Sequence, residues 1–119
     1  MKNYDIHDRI FEFVIAVINF FNELPKTPAN LIFINQGIRS VTSMGANDQE
    51  ADGASSTKDF LHCYTVVRKE TKETVFWLRV ISRTNKDFVK AADELVKEGK
   101  EIAAIVSTII KNTKKVSSK

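Results

Sequence analysis

The chain has 119 residues, 43% of them hydrophobic, with 18 basic against 15 acidic side chains for a net charge of +3. That is ample apolar material for one core and too much for a disordered chain, and so small a charge excess does not by itself call for nucleic acid. Its single cysteine, Cys63, excludes an internal disulfide, while four Gly and two Pro suit long helices better than a turn-rich β fold.

No basic segment followed by an apolar run opens the chain, and Glu or Asn breaks its longest apolar stretches. Neither a signal peptide nor a membrane span is expected, and the cytoplasm is the expected location.

Ile6, Ile10, Phe13, Val17, Phe20 and Leu24 recur at steps of four and three, which predicts a first helix over about residues 5–23. A second stripe, Phe11, Val14, Ile18 and Phe21, widens its apolar arc beyond what a single helix contact buries. This helix is therefore expected either deep in a bundle or at an oligomer interface. Leu24-Pro25-Lys26-Thr27-Pro28 ends it and opens the next, with Thr27 as N-cap and Pro28 at the first helical position, where its missing N–H costs nothing.

The second helix, over about residues 28–52, carries Leu31, Ile34, Ile38, Val41 and Gly45 at helical steps. Gly53 is expected to adopt the left-handed conformation past its end. The later half, Arg39 to Ala51, is unlike the rest of the chain, because small and polar residues crowd it around Gly45. Such a strip lets neighbouring helices approach closely and demands partners for any polar group it buries.

Ser56 and Asp59 resemble a capping box and predict a third helix over about residues 57–83. Tyr64, Val67, Thr71, Thr74, Leu78 and Ile81 form its apolar stripe, widened by Phe60, Cys63, Trp77 and Val80. A break at Thr84-Asn85 precedes a fourth helix over about residues 86–112, with Phe88, Ala92, Leu95, Gly99, Ile102, Ile105 or Val106, and Ile109 inward. Gly99 weakens that helix unless a close helix contact needs the space. Residues 113–119 read as a frayed basic tail. Four long helices with short connections predict an all-α protein: one antiparallel up-down-up-down four-helix bundle.

Chemistry-bearing patterns are few. His7 and His62 are the only histidines and match no metal-ligand spacing; no phosphate-binding glycine loop and no nucleophile–base grouping stands out. The chain is expected to be non-enzymatic, without cofactor or metal. Cys63 is expected as a small buried hydrophobe, and Trp77 as a core or interface anchor.

Two groupings remain. Arg39, Ser43, Asn47 and Glu50 on the second helix, with Glu70 and Glu73 on the third, are expected to form a partly buried polar network. It serves either to fix helix register and subunit contacts or to line a ligand pocket, and the first reading is preferred. The other grouping is Lys58, His62, Thr65, Lys69, Lys72, Phe76, Arg79 and Arg83, which share one helical face about 200° from the core stripe. It holds five Lys or Arg, no acid and one central aromatic. That pattern suits RNA or another polyanion; the plainer reading is a solvated face partly neutralised by Glu70 and Glu73.

A family resemblance rests on Thr27-Pro28-Ala29-Asn30, Arg39-Ser40, Ser43-Met44-Gly45-Ala46-Asn47 with Glu50-Ala51, Lys58-Asp59-Phe60, and Glu70 to Glu73 followed by Trp77-Leu78-Arg79. From Tyr4-Asp5 to the last helix the chain resembles the 23S rRNA-intervening-sequence proteins, sometimes labelled ribosomal proteins. Val41 stands where relatives often have Gly, and Gly37-Ile38 where they tend to have paired leucines; these departures touch packing and leave the Ser43–Ala51 signature intact. The resemblance implies an up-down four-helix bundle that assembles as a cyclic homopentamer. It also implies a distant relation to the pentameric accessory protein of diversity-generating retroelements, which is associated with a reverse transcriptase and RNA. It supplies no catalytic residue.

The expected function is thus a non-enzymatic homo-oligomer, pentameric by resemblance, that binds RNA or another nucleic acid through the basic face of its third helix. The alternative is a protein-interaction scaffold with no direct nucleic-acid contact. Neither reading involves a membrane.

Overall fold

The structure, a computed structural model, describes residues 5–117. It consists of four α-helices, α1 (Ile6–Glu23), α2 (Pro28–Asp52), α3 (Thr57–Thr84) and α4 (Val89–Ser117), with one 3-10 turn, Lys86–Phe88, before the last. Each helix packs on its neighbours in sequence, and α1 closes the ring against α4, so the four form an all-α up-down bundle. It is elongated, 51 × 32 × 19 Å along its principal axes.

Side-chain chemistry sets the helix starts. Asp5 accepts the Asp8 N–H at 2.8 Å, Thr27 the Asn30 N–H at 3.1 Å, and Ser56 the Asp59 N–H at 3.1 Å, each satisfying one orphan donor of a first turn. Pro28 occupies the first turn of α2. The reciprocal half of a capping box is missing: Asp59 instead accepts from the Ser55 hydroxyl at 3.3 Å. At the end of α1 the Lys26 ammonium donates to the carbonyls of Phe21, Asn22 and Leu24.

Gly53 departs from its expected left-handed conformation, with φ −101° and ψ 13°. The last turn of α2 tightens instead, and Gly53 and Ala54 donate to the carbonyls three residues back, at 3.2 and 3.1 Å. Those bonds satisfy the end carbonyls without a left-handed residue. At the other end of the chain, α4 runs on to Ser117, through most of the segment read as a frayed tail; Ser118 and Lys119 of that tail lie outside the described residues, as does Tyr4.

The core lies along α3. Every member of its stripe, from Tyr64 to Ile81, is buried. Burial of a Leu or Ile side chain contributes about 1.5–3 kcal/mol, whereas a β-branched residue costs a helix well under about 1 kcal/mol. Packing therefore outweighs the poor propensity of Val66, Val67, Thr71, Thr74 and Val75, and α3 is unbroken over 28 residues. From α1, Ile10, Phe13, Val17, Phe20 and Phe21 reach the core, and from α4, Ala92, Ile102, Val106 and Ile110.

Helix α2 is rotated from its expected orientation. Its buried line is Asn30, Ile34, Gly37, Val41, Met44, Asp48 and Ala51, again at steps of four and three, while Leu31 is 47% exposed and Ile32 59%. Gly37 explains the rotation. A Cβ there would stand 2.4 Å from the Phe21 ring, so only a residue without a side chain lets that ring lie against the α2 backbone. Gly99 does the same for α4, where a Cβ would come within 2.6 Å of Val75 and 3.2 Å of Phe13.

Buried polar groups lock these contacts. Ser40 and Thr74, both 0% exposed, share a 2.7 Å hydroxyl hydrogen bond between α2 and α3. At the end of the bundle the amides of Asn30 and Asn85 exchange hydrogen bonds of 2.8 and 3.0 Å, and Asn30 also donates to the Pro25 carbonyl at 2.9 Å. No described helix is long and apolar enough to cross a membrane.

Candidate nucleic-acid interface

The eight residues at steps of four and three on α3, Lys58, His62, Thr65, Lys69, Lys72, Phe76, Arg79 and Arg83, are all exposed. They extend along about 38 Å of helix at 1.5 Å per residue. Among the described residues, the side chains of Lys58, Lys69, Lys72, Arg79 and Arg83 enter no ion pair and no hydrogen bond. Phe76, 52% exposed, is nevertheless held in place: its ring meets Trp77 edge-on at 4.9 Å, and Trp77 stacks on Phe33 of α2 at 6.0 Å.

The row borders two grooves between α3 and α4. One, of about 450 Å³, is lined by Phe76, Arg79, Val80, Arg83, Asp93 and Val96. The buried Ser82 hydroxyl also lines it and donates to Asp93 Oδ1 at 2.7 Å. The other, of about 390 Å³, brings Lys100 of α4 to Lys72 of α3 over Val75, Ala103 and Ala104. Lys100 and Asp93 escaped the sequence reading, because nothing within one helix indicates which residue of the next will face it.

The expected polar network divides. Arg39 binds both Glu70, at 3.3 Å, and Glu73, and the Trp77 indole N–H donates to Glu73 at 3.4 Å. Burial raises the Glu73 pKa, but the hydrogen bonds from Arg39 and Trp77 and the positive charges of Arg39 and Lys69 outweigh it, and the carboxyl is held below its ordinary range. Glu70 is only 6% exposed, and its Oε1 is buried without a hydrogen-bond partner among the described residues. Ser43, Asn47 and Glu50 are not brought to this cluster. Asn47 donates back to the Ser43 carbonyl at 2.9 Å within α2, and the exposed Glu50 lies 3.9 Å from the Cys63 thiol. Burial, then the carboxylates of Glu50 and Asp59, push the Cys63 pKa up, so the thiol stays protonated and unreactive.

A second cluster was absent from the sequence reading. Asp48, 1% exposed, accepts from His7 Nδ1 at 2.9 Å and from the buried Tyr64 hydroxyl at 2.8 Å, while His7 Nε2 lies 3.2 Å from Asp52. Three helices meet at one carboxylate. Burial lowers the His7 pKa, but the Asp48 hydrogen bond and the charges of Asp48, Asp52 and Asp5 outweigh it, and the net shift is upward. Burial first, then Asp48, raises the Tyr64 pKa, which keeps the phenol a donor. The signal was present: the α2 stripe through Val41 and Gly45, continued by three and four, lands on Asp48 and Asp52. An acid at a core position requires partners.

Arg9 and Glu98 make a third cluster, a two-pronged pair between α1 and α4 with both hydrogen bonds at 2.8 Å, and Glu101 stands 3.5 Å away. The Glu98 hydrogen bond is the main cause of a raised Arg9 pKa. Among the described residues no group of three or more His, Cys, Asp or Glu is placed to hold a metal ion.

Comparison with known proteins fits this geometry. The profile of the 23S rRNA-intervening sequence proteins matches residues 2–108. The solved structure of a protein with unknown function from the S23 ribosomal protein family of Bacteroides thetaiotaomicron superposes with a TM-score of 0.82 at 30% sequence identity, over 90% of this chain and 99% of that one. No curated protein matches the sequence. With nearly the whole chain matched and the four-helix fold in common, this protein belongs to the 23S rRNA-intervening sequence protein family.

Proposed function

We propose that the protein is a non-enzymatic, cytoplasmic homo-oligomer that binds RNA through the outward face of α3. The observation that supports it is the row of five unpaired cations around Phe76 on that face. Free cations near the proper spacing neutralise phosphates and release counterions, and an exposed aromatic ring offers a platform for a base. A ring of copies multiplies a weak site by avidity.

Self-association is supported by a separate surface. Phe11, Ile15, Leu31 and Ile32 are between 40% and 59% exposed on α1 and α2, and a groove of about 240 Å³ between these helices is lined by Phe11, Val14, Gly45 and Ala46. Large apolar side chains left exposed beside such a groove are what a subunit contact would cover. The number five comes from the family resemblance, and native mass spectrometry tests it by looking for a species of five 13.5 kDa chains.

RNA binding is tested by fluorescence anisotropy with single-stranded and structured RNA. Five phosphate contacts at about 0.7 each predict a salt slope near −3.5 on single strands, so affinity falls about a hundredfold when salt rises fourfold. Absence of salt-sensitive binding at low ionic strength removes this reading. Recovery of a protein partner after nuclease treatment, without RNA affinity, would instead support the scaffold alternative.

A further inference from the structure

The larger α3–α4 groove contains a group that a phosphate channel should not have. Asp93 lies among Phe76, Arg79 and Arg83, where its charge repels a polyanion. Asp93 is exposed, and Ser82, a residue 93% buried, orients it by donating its hydroxyl hydrogen to Oδ1 at 2.7 Å. No ion pair or other hydrogen bond engages Asp93 among the described residues, although two arginines line the same groove. A carboxylate that is positioned yet left open has acceptors to offer to a ligand.

The nearest consistent ligand has negative charge at one end and N–H donors at the other, which describes a nucleotide. We propose that this groove reads one unpaired guanine of single-stranded RNA, with Asp93 accepting from its Watson–Crick edge, Phe76 stacking on the base and Arg79 and Arg83 holding the adjoining phosphates. This rests on the RNA-binding reading above and adds base selection to it. Guanine follows from the donor pattern. It presents two adjacent donors, N1–H and the N2 amino group, to the two oxygens of a carboxylate. Adenine and cytosine place a ring acceptor beside their single amino group, and uracil flanks its N–H with two carbonyls, so each sets a lone pair against the second oxygen. Unpaired bases are the ones whose Watson–Crick edges proteins can reach. At about 450 Å³ the groove is within the size range of small-molecule sites.

The test measures binding of the full-length protein to uridine-rich RNA oligomers carrying one central guanine, inosine, adenine, cytosine or uracil. Guanine is expected to bind about tenfold more tightly than adenine, cytosine or uracil, the discrimination typical of a good two-point base contact, with inosine between because it keeps only N1–H. Asp93→Asn replaces one acceptor with a donor and is expected to abolish the guanine preference while leaving salt-sensitive binding. Ser82→Ala, which removes the hold on the carboxylate, is expected to weaken the preference in the same direction. Phe76→Ala is expected to weaken binding of every oligomer by about tenfold. Salt-sensitive binding with no base preference in the unmodified protein overturns base reading alone, and so does a preference that survives Asp93→Asn. Absence of binding to any oligomer at low salt overturns the RNA-binding reading itself. The oligomer series on the unmodified protein does not depend on any variant folding.

Discussion

The charged residues at the helix seams and those on the outward face of α3 behave oppositely. At three helix contacts a cation has found an anion from another helix: Arg9 with Glu98, Arg39 with Glu70 and Glu73, His7 with Asp48 and Asp52. On the outward face five Lys and Arg in a row form no ion pair among the described residues, although the charge of Lys69 acts on Glu73. The carboxylates buried at those helix contacts, Asp48 and Glu70, are desolvated, and leaving such a group unpaired is costly, so partners are needed there. Charge in water costs nothing when unpaired and stays free for something else. The seam charges are thus explained by the fold, and the α3 row is not.

That contrast is testable in order of expected effect. Asp48→Ala should be the most damaging change, because it leaves His7 and the buried Tyr64 hydroxyl without their shared acceptor; breaking a buried pair of this kind costs about 3–5 kcal/mol, measured by urea denaturation. Next comes Gly37→Ala. Its methyl would meet the Phe21 ring at 2.4 Å, and overpacking of this order costs about 1–3 kcal/mol. Tyr64→Phe removes one donor to Asp48 and should cost about 1–3 kcal/mol, and an unchanged denaturation midpoint would show that the carboxylate finds another partner.

A smaller effect follows from pH. The His7 pKa is raised above 6.5 on folding, so its contribution to stability is complete below the unfolded value and is lost as pH rises through the folded one. Melting temperatures of the unmodified protein and His7→Gln should therefore differ most below about pH 6.5 and converge as the pH rises through the raised folded-state value. If their difference stays constant, protonation is not what holds α1. The smallest stability effect belongs to the α3 row. Arg79→Ala and Arg83→Ala should each change stability by no more than about 0.5 kcal/mol. Each should reduce the RNA salt slope by about 0.7, the reverse of the seam variants.

Much of the fold was legible because helical periodicity is written along one segment. The α3 stripe from Tyr64 to Ile81 is buried throughout, and the caps at Thr27 and Ser56 stand where their side chains predict. The row from Lys58 to Arg83 was legible for the same reason, since a single helix determines which residues share a face. The reading failed where a different helix decides. On α2, Leu31 looked like a core residue and is half exposed, because Gly37 admits the Phe21 ring and turns the helix by about one position. The packing of α1 and α3 on this helix brings His7 and Tyr64 to Asp48. It also leaves Ser43, Asn47 and Glu50 apart from the Arg39 cluster that the sequence had joined to them.

The small, polar half of α2 shows the division most clearly. By itself the sequence determined that this strip must lie close to its neighbours and supply partners to buried polar groups. Which residues became those partners was a matter of register between helices. Register depends on close side-chain-to-backbone contacts, the Phe21 ring at Gly37 and the Val75 methyl at Gly99, where a Cβ would not fit without a shift. Residues 41 positions apart in the case of His7 and Asp48, and 89 in the case of Arg9 and Glu98, meet only once those contacts are made. A spacing rule reaches about one or two helical turns, so pairings of this range come from the packed bundle alone.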